Sequence, residues 1–296
     1  MYKLGPGFDV VGLALSIWLE LNVTIDTSVT KSMASLNCVL TYEGDGADHV
    51  PLDPNSNLIT RTALYVLRCH NQWNFPCETR IHITNPIPLG RGLGSSGAAV
   101  VAGVMLGDMV GNLGLSKDRM LDFCLMIERH PDNVTAAIIG GFVGSYLREL
   151  SPEDMGRKEI PLAEVLPEPA GGEYTTGLQP PQPPLGIGHY IQFGWAKEIK
   201  ALTIIPRFEV ATAEARAVLP MQYSRKDMVS HVVTVIEKDG LTRDNQIFNL
   251  QRLAVLTTAL TRSPPDAELI FQAMQDKVHQ PYRKHLVSFG NRQQHH

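Results

Sequence analysis

Cysteine is scarce in this chain of 296 residues, and the four present, Cys38, Cys69, Cys77 and Cys124, form no C-x-x-C pair. The first residues also lack the basic, apolar and small-residue succession of a secretion signal. A reduced, cytoplasmic protein is therefore the expectation. Long apolar runs are missing too. The longest, near Gly97 to Val110, is interrupted by Gly103, Gly107 and Asp108 and falls short of the roughly 20 residues that span a bilayer, so no membrane partner is expected. Neither sign of charge is in marked excess: 26 Lys and Arg stand against 30 Asp and Glu, a net charge of −4, with a pI near 6.2. The basic residues are scattered, which leaves no stripe for a nucleic-acid backbone. Repeats and low-complexity tracts are absent as well. What is there is 44% hydrophobic and 7% aromatic, a globular profile long enough for one large domain or two ordinary ones, with two favoured.

Periodicity places the main elements. From Val10 to Ile25 a small-residue turn passes into alternation, with Leu19, Leu21, Val23 and Ile25 on one face of a strand that buries that face. Asn57 to His70 has Leu58, Ala63, Leu64 and Leu67 at helical spacing behind a cap at Ser56 or Asn57. Arg80 to Asn85 alternates as a strand, and a glycine-rich segment then leads into an apolar helix over Ala98 to Met109. Ser116 caps an amphipathic helix to Glu128, which turns Met120, Leu121, Cys124, Leu125 and Ile127 inward and stops before His130-Pro131. Val134 to Ser145 carries Gly140-Gly141 and then a short strand over Phe142 to Leu147. Six of the chain's 20 prolines lie between Pro167 and Pro184, a connector without regular structure. Beyond it, Lys200 to Pro206 reads as a strand and Phe248 to Ala259 as a helix. The limits expected are 1–166 and 198–296 for the two domains, with 167–197 between them.

Two segments carry chemistry. Pro88 to Ala98 reads PLGRGLGSSGA, with Gly90, Gly92, Gly94, Gly97, Ser95 and Ser96 directly before a helix. Glycines let the backbone approach an anion, and the helix N-terminus adds the positive end of its dipole, so the segment suits a phosphate. It is neither a Walker A loop, since no Lys follows the last glycine, nor a clear dinucleotide fingerprint. A turn that merely reverses the chain is the competing reading, which four glycines and two hydroxyls in eleven residues disfavour. The second segment, Glu128 to Asn133, packs acid, imidazole, acid and amide into one turn. A carboxylate there can complete the oxygen shell of a phosphate-bound Mg²⁺, with a loop serine as a second ligand. The competing reading is a polar helix end in which Asp132 or Asn133 caps the next helix.

Together PLGRGLGSSGA and ERHPDNVTAAIIGGF resemble the first half of the GHMP superfamily of small-molecule kinases, and within it the homoserine kinases, those of fungi most of all. LGPGFDVVGLAL at Leu4 to Leu15 is similar to that family's opening motif. IIPRFEVATAEAR at Ile204 to Arg216 and VHQPYR at Val278 to Arg283 resemble its later substrate-side segments. The resemblance implies an α+β fold of two domains. The N-terminal one is like domain 2 of ribosomal protein S5, the C-terminal one is ferredoxin-like and incomplete, and nucleotide and substrate sit between them. It also implies ATP-dependent phosphorylation of L-homoserine to O-phospho-L-homoserine in threonine biosynthesis, with ATP and Mg²⁺ as cofactors and a homodimer as the common assembly. Carried over, Pro88, Leu89, Gly90, Arg91, Gly92, Leu93, Gly94, Ser95, Ser96, Gly97 and Ala98 wrap the phosphates, and Asn57 lies beside the adenine. Ser96 and Glu128 hold the metal. Asp9, His130, Asn133, Thr212, Arg216 and Arg283 face the amino acid, where Asp9 suits an ammonium and the arginines suit a carboxylate. No general base is implied.

Three departures from the family pattern accompany this resemblance. Only four residues precede Gly5, with Lys3 where the family has a substrate-side Asn, and the family's first strand is missing, which is expected to leave a sheet neighbour unpaired. A C-terminal Ser-Gly-Ala-Gly-Pro-like loop is absent. The 18 residues from Val229 to Gln246 interrupt a match in which Lys226 to Met228 runs straight into Ile247 to Leu256. Their possible codons begin and end like a fungal intron, and those of Val287-Ser288, at the start of the last ten residues, begin like a second one read through to a stop. A translated intron is therefore the expectation, against a genuine surface loop, and transcript sequencing separates the two. A kinase acting on mevalonate or a sugar, and a fragment without activity, are the alternative readings.

Overall fold

A computed structural model describes residues 4–29, 32–156, 179–203, 205 and 243–280. Its element order is β1 (Val11–Leu13), β2 (Glu20–Asp26), β3 (Cys38–Gly44), α1 (Leu58–Cys69), β4 (Glu78–Asn85), α2 (Ser95–Gly111), α3 (Lys117–Glu128), α4 (Pro131–Ile139), β5 (Phe142–Leu147), a short α5 (Pro152–Gly156), β6 (Gly188–Phe193), α6 (Arg243–Ala259) and α7 (Ala267–Ala273).

The alternating strands build a mixed sheet in the order β2-β4-β3. β2 runs antiparallel to β4, with Leu21 opposite Ile83 and Val23 opposite Ile81, and β3 runs parallel to β4 on its other side. Ile81 and Ile83 are buried under α1 and α2 together with Leu40, Leu64, Leu67 and Leu106. The helix pair is close because α2 offers glycines every fourth residue. A Cβ on Gly103 would lie 2.5 Å from the Ile59 carbonyl oxygen, one on Gly107 would lie 2.9 Å from that of Ala63, and one on Gly111 would meet Leu67. Contacts climb both helices in the same sense, so α1 and α2 run parallel. On the side away from the sheet, α3 and α4 close a second core around Phe123, Leu125, Met126, Val100, Val104 and Val134.

A second, antiparallel sheet has the order β1-β5-β6, with Leu13 opposite Phe142 and Phe142 opposite Phe193. Its apolar side meets α6 and α7 in a third core containing Val11, Phe142, Leu256, Leu260 and Ala273. The buried Asp122 carboxylate of α3 accepts from the backbone N–H groups of Gly186 (3.0 Å) and Ile187 (2.9 Å), which fixes the chain as it enters β6.

Several expectations shift. Val10 to Ile25 is not a single element: residues 11–13 join one sheet and 20–26 the other, and Leu21 and Val23 are only half-buried while Ile25 is 37% exposed. α2 starts at Ser95 rather than Ala98, so both loop serines belong to its first turn. Residues 200–203 and 205 form no strand. They find no partner strand among the described residues, and Leu202 is 87% exposed. Within the stretch expected to be a connector, 179–187 is irregular but 188–193 forms β6. The helix expected from Phe248 starts earlier, at Arg243, so its first turn takes in 243–246. The rest of the predicted insertion, 229–242, lies outside the described residues, as does the tail from 287.

Candidate active site

The glycine segment leaves β4 at Asn85, whose side-chain oxygen accepts from the Ile87 N–H at 3.0 Å. Gly90, Gly92 and Gly94 then have φ of 62°, 74° and 75°, the left-handed region that a side chain occupies only under strain. Gly94 is the N-cap of α2 and has no side chain with which to satisfy the first-turn N–H groups. Those donors, at the positive end of a 17-residue helix, are the elements of an anion site.

The second segment is placed by a reversal of the chain. Arg129 ends α3 in the left-handed conformation at φ 62°, His130 precedes α4, and Pro131 occupies its first turn. Glu128 and Asp132 are both buried, at 4% and 3% exposure. The imidazole of His130 lies between them, with Nε2 3.1 Å from Glu128 Oε2 and Nδ1 3.3 Å from Asp132 Oδ1. One turn back in α3, burial first and then the Glu128 charge hold the Cys124 thiol well above its ordinary pKa.

The two segments meet. A Cβ on Gly94 would lie 3.3 Å from Asn133 Oδ1, and one on Gly97 would lie 3.1 Å from Asn133 Cβ. Asn133, in the first turn of α4, therefore abuts the loop and the start of α2. The same helix carries the Asp132 carbonyl oxygen to within 2.1 Å of where a Cβ on Gly12 would stand, so β1 packs against α4, with Asp9, at φ 56°, in the turn before it.

The segment from Val278 begins on a turn built by Asp276. Its carboxylate accepts from Asn249 Nδ2 (2.8 Å) and from the N–H groups of Val278 (2.8 Å), His279 (3.0 Å) and Gln280 (3.0 Å). His279 stacks on Phe8, with centroids 4.5 Å apart and planes at 23°, and so brings this segment beside Asp9. Neither Asp276 nor the stack is expected from sequence, although an Asp two residues before Val278 is a recognisable turn former. Thr212, Arg216 and Arg283 lie outside the described residues. Asn57 is buried and caps α1: its oxygen accepts from Ile59 N at 3.0 Å and its amide donates to the Pro51 carbonyl at 2.9 Å, so its side chain is already engaged on the backbone.

The donor set suits a nucleotide with a hard cation. Among the described residues no three His, Cys, Asp or Glu side chains form a metal cage. Among the same residues no helix is long and apolar enough to cross a membrane.

Comparison with known proteins points the same way. Residues 57–141 match the family model of the GHMP kinases N terminal domain. The chain is 59% identical over 289 residues to a homoserine kinase of Saccharomyces cerevisiae and 51% identical over 288 residues to one of Candida albicans, covering 96% of this chain in both cases. It spans about three-quarters of those relatives' length, 76% and 75%. A crystal structure of homoserine kinase from Cytophaga hutchinsonii superposes with a TM-score of 0.62 at 21% identity, covering 96% of this chain and 71% of that one, which is a likeness of fold.

Proposed function

This chain belongs to the homoserine kinases of the GHMP superfamily, and on that premise we propose how its own residues serve the reaction. The activity is ATP-dependent phosphorylation of L-homoserine to O-phospho-L-homoserine, a step of threonine biosynthesis. The observation that carries the assignment of residues is the packing of Asn133 on Gly94 and Gly97, because it sets the Glu128 to Asn133 turn beside the glycine loop.

The backbone of Pro88 to Ala98 holds the phosphates, with the first-turn donors of α2 directed at them. Ser96 and Glu128 supply two hard oxygens for Mg²⁺. Bound MgATP supplies the phosphoryl group and neutralises charge as that group moves. Glu128 pairs with His130 through Oε2, so the imidazole keeps that carboxylate oriented. On the substrate side, Asp9 receives the ammonium, Arg216 and Arg283 clamp the carboxylate, and His130, Asn133 and Thr212 align the hydroxyl. No carboxylate is assigned as general base. The rate comes from alignment and electrostatic stabilisation. The carboxylate clamp separates homoserine from mevalonate-type and sugar substrates, which lack an amino-acid carboxylate paired with an ammonium. The nucleotide-binding domain is 1–166, with β6 from the following stretch completing its second sheet, and 198–296 forms the substrate-side domain.

The test is ADP release by the purified 296-residue chain with MgATP, with and without L-homoserine, and with mevalonate and galactose as controls. Turnover that depends on homoserine alone is expected. A rate indifferent to homoserine, or supported equally by a control substrate, would overturn the assignment.

A further inference from the structure

The glycine loop has to be held at two ends, and the structure shows what holds each. At its C-terminal end Gly94 enters α2, where its carbonyl accepts from Ala98 N at 2.9 Å. At the other end an anchor comes from the segment after β3. Asp45 Oδ2 accepts from the Leu89 N–H at 2.8 Å, and Oδ1 forms an ion pair with Arg91 Nη1 at 3.6 Å. Asp45 is itself fixed. Its N–H donates to the Asn85 carbonyl at 2.9 Å, and its own carbonyl accepts from the Tyr42 hydroxyl at 2.7 Å. That hydroxyl in turn accepts from Asn85 Nδ2 at 3.0 Å. On either side only glycine fits: a Cβ on Gly44 would stand 2.1 Å from the Asn85 carbonyl oxygen, and Gly46 has φ 75°, the left-handed region that a side chain occupies only under strain.

We propose that Asp45 is a positioning residue for ATP: it sets the first half of the phosphate loop through the Leu89 N–H and Arg91, without touching the nucleotide. The proposal rests on the reading of Pro88 to Ala98 as the phosphate loop. Three left-handed glycines follow Leu89 within five residues, and glycine loses the most backbone freedom on ordering. A charge-assisted bond to the preceding N–H meets part of that cost before the nucleotide arrives. A carboxylate near a triphosphate is repulsive on its own, and Arg91 answers this by pairing with it at the loop. The arrangement thus holds the loop while adding little net negative charge.

The experiment measures steady-state kinetics of the full chain with both substrates varied, for Asp45→Ala, Asp45→Asn and, as a loop control, Ser96→Ala, alongside thermal melts of each. Removing a preorganising contact from ground and transition state alike raises KM and spares kcat. Asp45→Ala is therefore expected to raise KM for ATP about three- to tenfold, with kcat and KM for homoserine within about twofold. Asp45→Asn retains an oxygen for the Leu89 N–H and is expected to recover most of that loss. The proposal is overturned if Ser96→Ala raises KM for ATP while Asp45→Ala leaves it at the wild-type value. It is equally overturned if both Asp45 variants shift the two KM values together in step with a lower melting temperature, which is the signature of a purely structural residue. If neither Ser96→Ala nor Asp45→Ala affects ATP, the reading of the loop falls as well.

Discussion

In the proposed site Glu128 is the carboxylate that holds the cation, and the imidazole of His130 lies between it and the buried Asp132. A buried carboxylate is costly without polar partners, and here a ring nitrogen of the same turn lies within 3.1 Å of Glu128 and another within 3.3 Å of Asp132. Glu128→Gln keeps the volume and removes the charge. It is expected to lower kcat/KM about a hundredfold and to raise the Mg²⁺ concentration for half-maximal rate, read by titrating Mg²⁺ at fixed ATP; an unchanged Mg²⁺ dependence would remove Glu128 from the site. A second residue-scale expectation concerns the thiols. Burial pushes Cys38 up to about 12 and Cys124 well above its usual value. Both therefore stay protonated at pH 8 and unreactive, since the thiolate is the nucleophile. Cys69 is buried, whereas Cys77 is half-exposed. A native-state thiol titration with an aromatic disulfide is expected to modify one cysteine per chain promptly and the others only on unfolding, with Cys77→Ser abolishing the prompt phase. At this scale the site is legible in the sequence where its residues are contiguous, as in Glu128 to Asn133, because one turn brings them together. Asp45 and Asp276 were not legible, since each acts on a segment that only the fold brings near, Leu89 in the one case and Asn249 in the other.

At the scale of elements, the spacing of glycines in α2 sets how near it lies to α1. Alanine at an exposed helical position would gain about 1 kcal/mol over glycine. At Gly103 the new Cβ would stand 2.5 Å from both the Ile59 carbonyl oxygen and Thr62 Cβ, and a backbone atom in a packed helix cannot give way. Overpacking costs about 1–3 kcal/mol and wins, so Gly103→Ala is expected to lower the urea midpoint with an unchanged slope. Gly114, whose Cβ would meet nothing within 4 Å, is not equivalent because its φ of 68° adds strain. The elements legible from the sequence share a physical reason: α1, α3 and β4 have caps or strict alternation, and each falls within two residues of the expected span at both ends. Sheet membership was not legible. β1 and β2 are close in sequence but belong to different sheets, and residues 200–203 and 205, expected in a strand, find no ladder among the described residues, since a sequence pattern says nothing of a partner.

For the molecule as a whole, the core that matters most for coupling is the one in which residues from both ends of the described chain meet. Val11 of β1 and Phe142 of β5 pack there with Leu256 and Leu260 of α6 and Ala273 of α7, and Trp195 lies edge-on to Phe142 at 5.7 Å. β1 and β5 flank α4, which carries Asn133 to the glycine loop, so the C-terminal helices and the loop side share a sheet. Leu256 has no solvent exposure, and Leu256→Ala is expected to cost about 2–5 kcal/mol through lost transfer energy and the cavity left behind. MgATP at a hundred times its dissociation constant is expected to stabilise the folded chain by about 2.7 kcal/mol. If the shared sheet makes the folded parts one cooperative unit, both changes act on the same transition. A thermal scan followed by far-ultraviolet circular dichroism and by tryptophan fluorescence should then show one midpoint that falls in Leu256→Ala and is restored, in part or in full, by MgATP. Two midpoints, of which the substitution lowers one and the nucleotide raises the other, would mean that α6 and α7 melt apart from the phosphate loop and that the third core does not couple them.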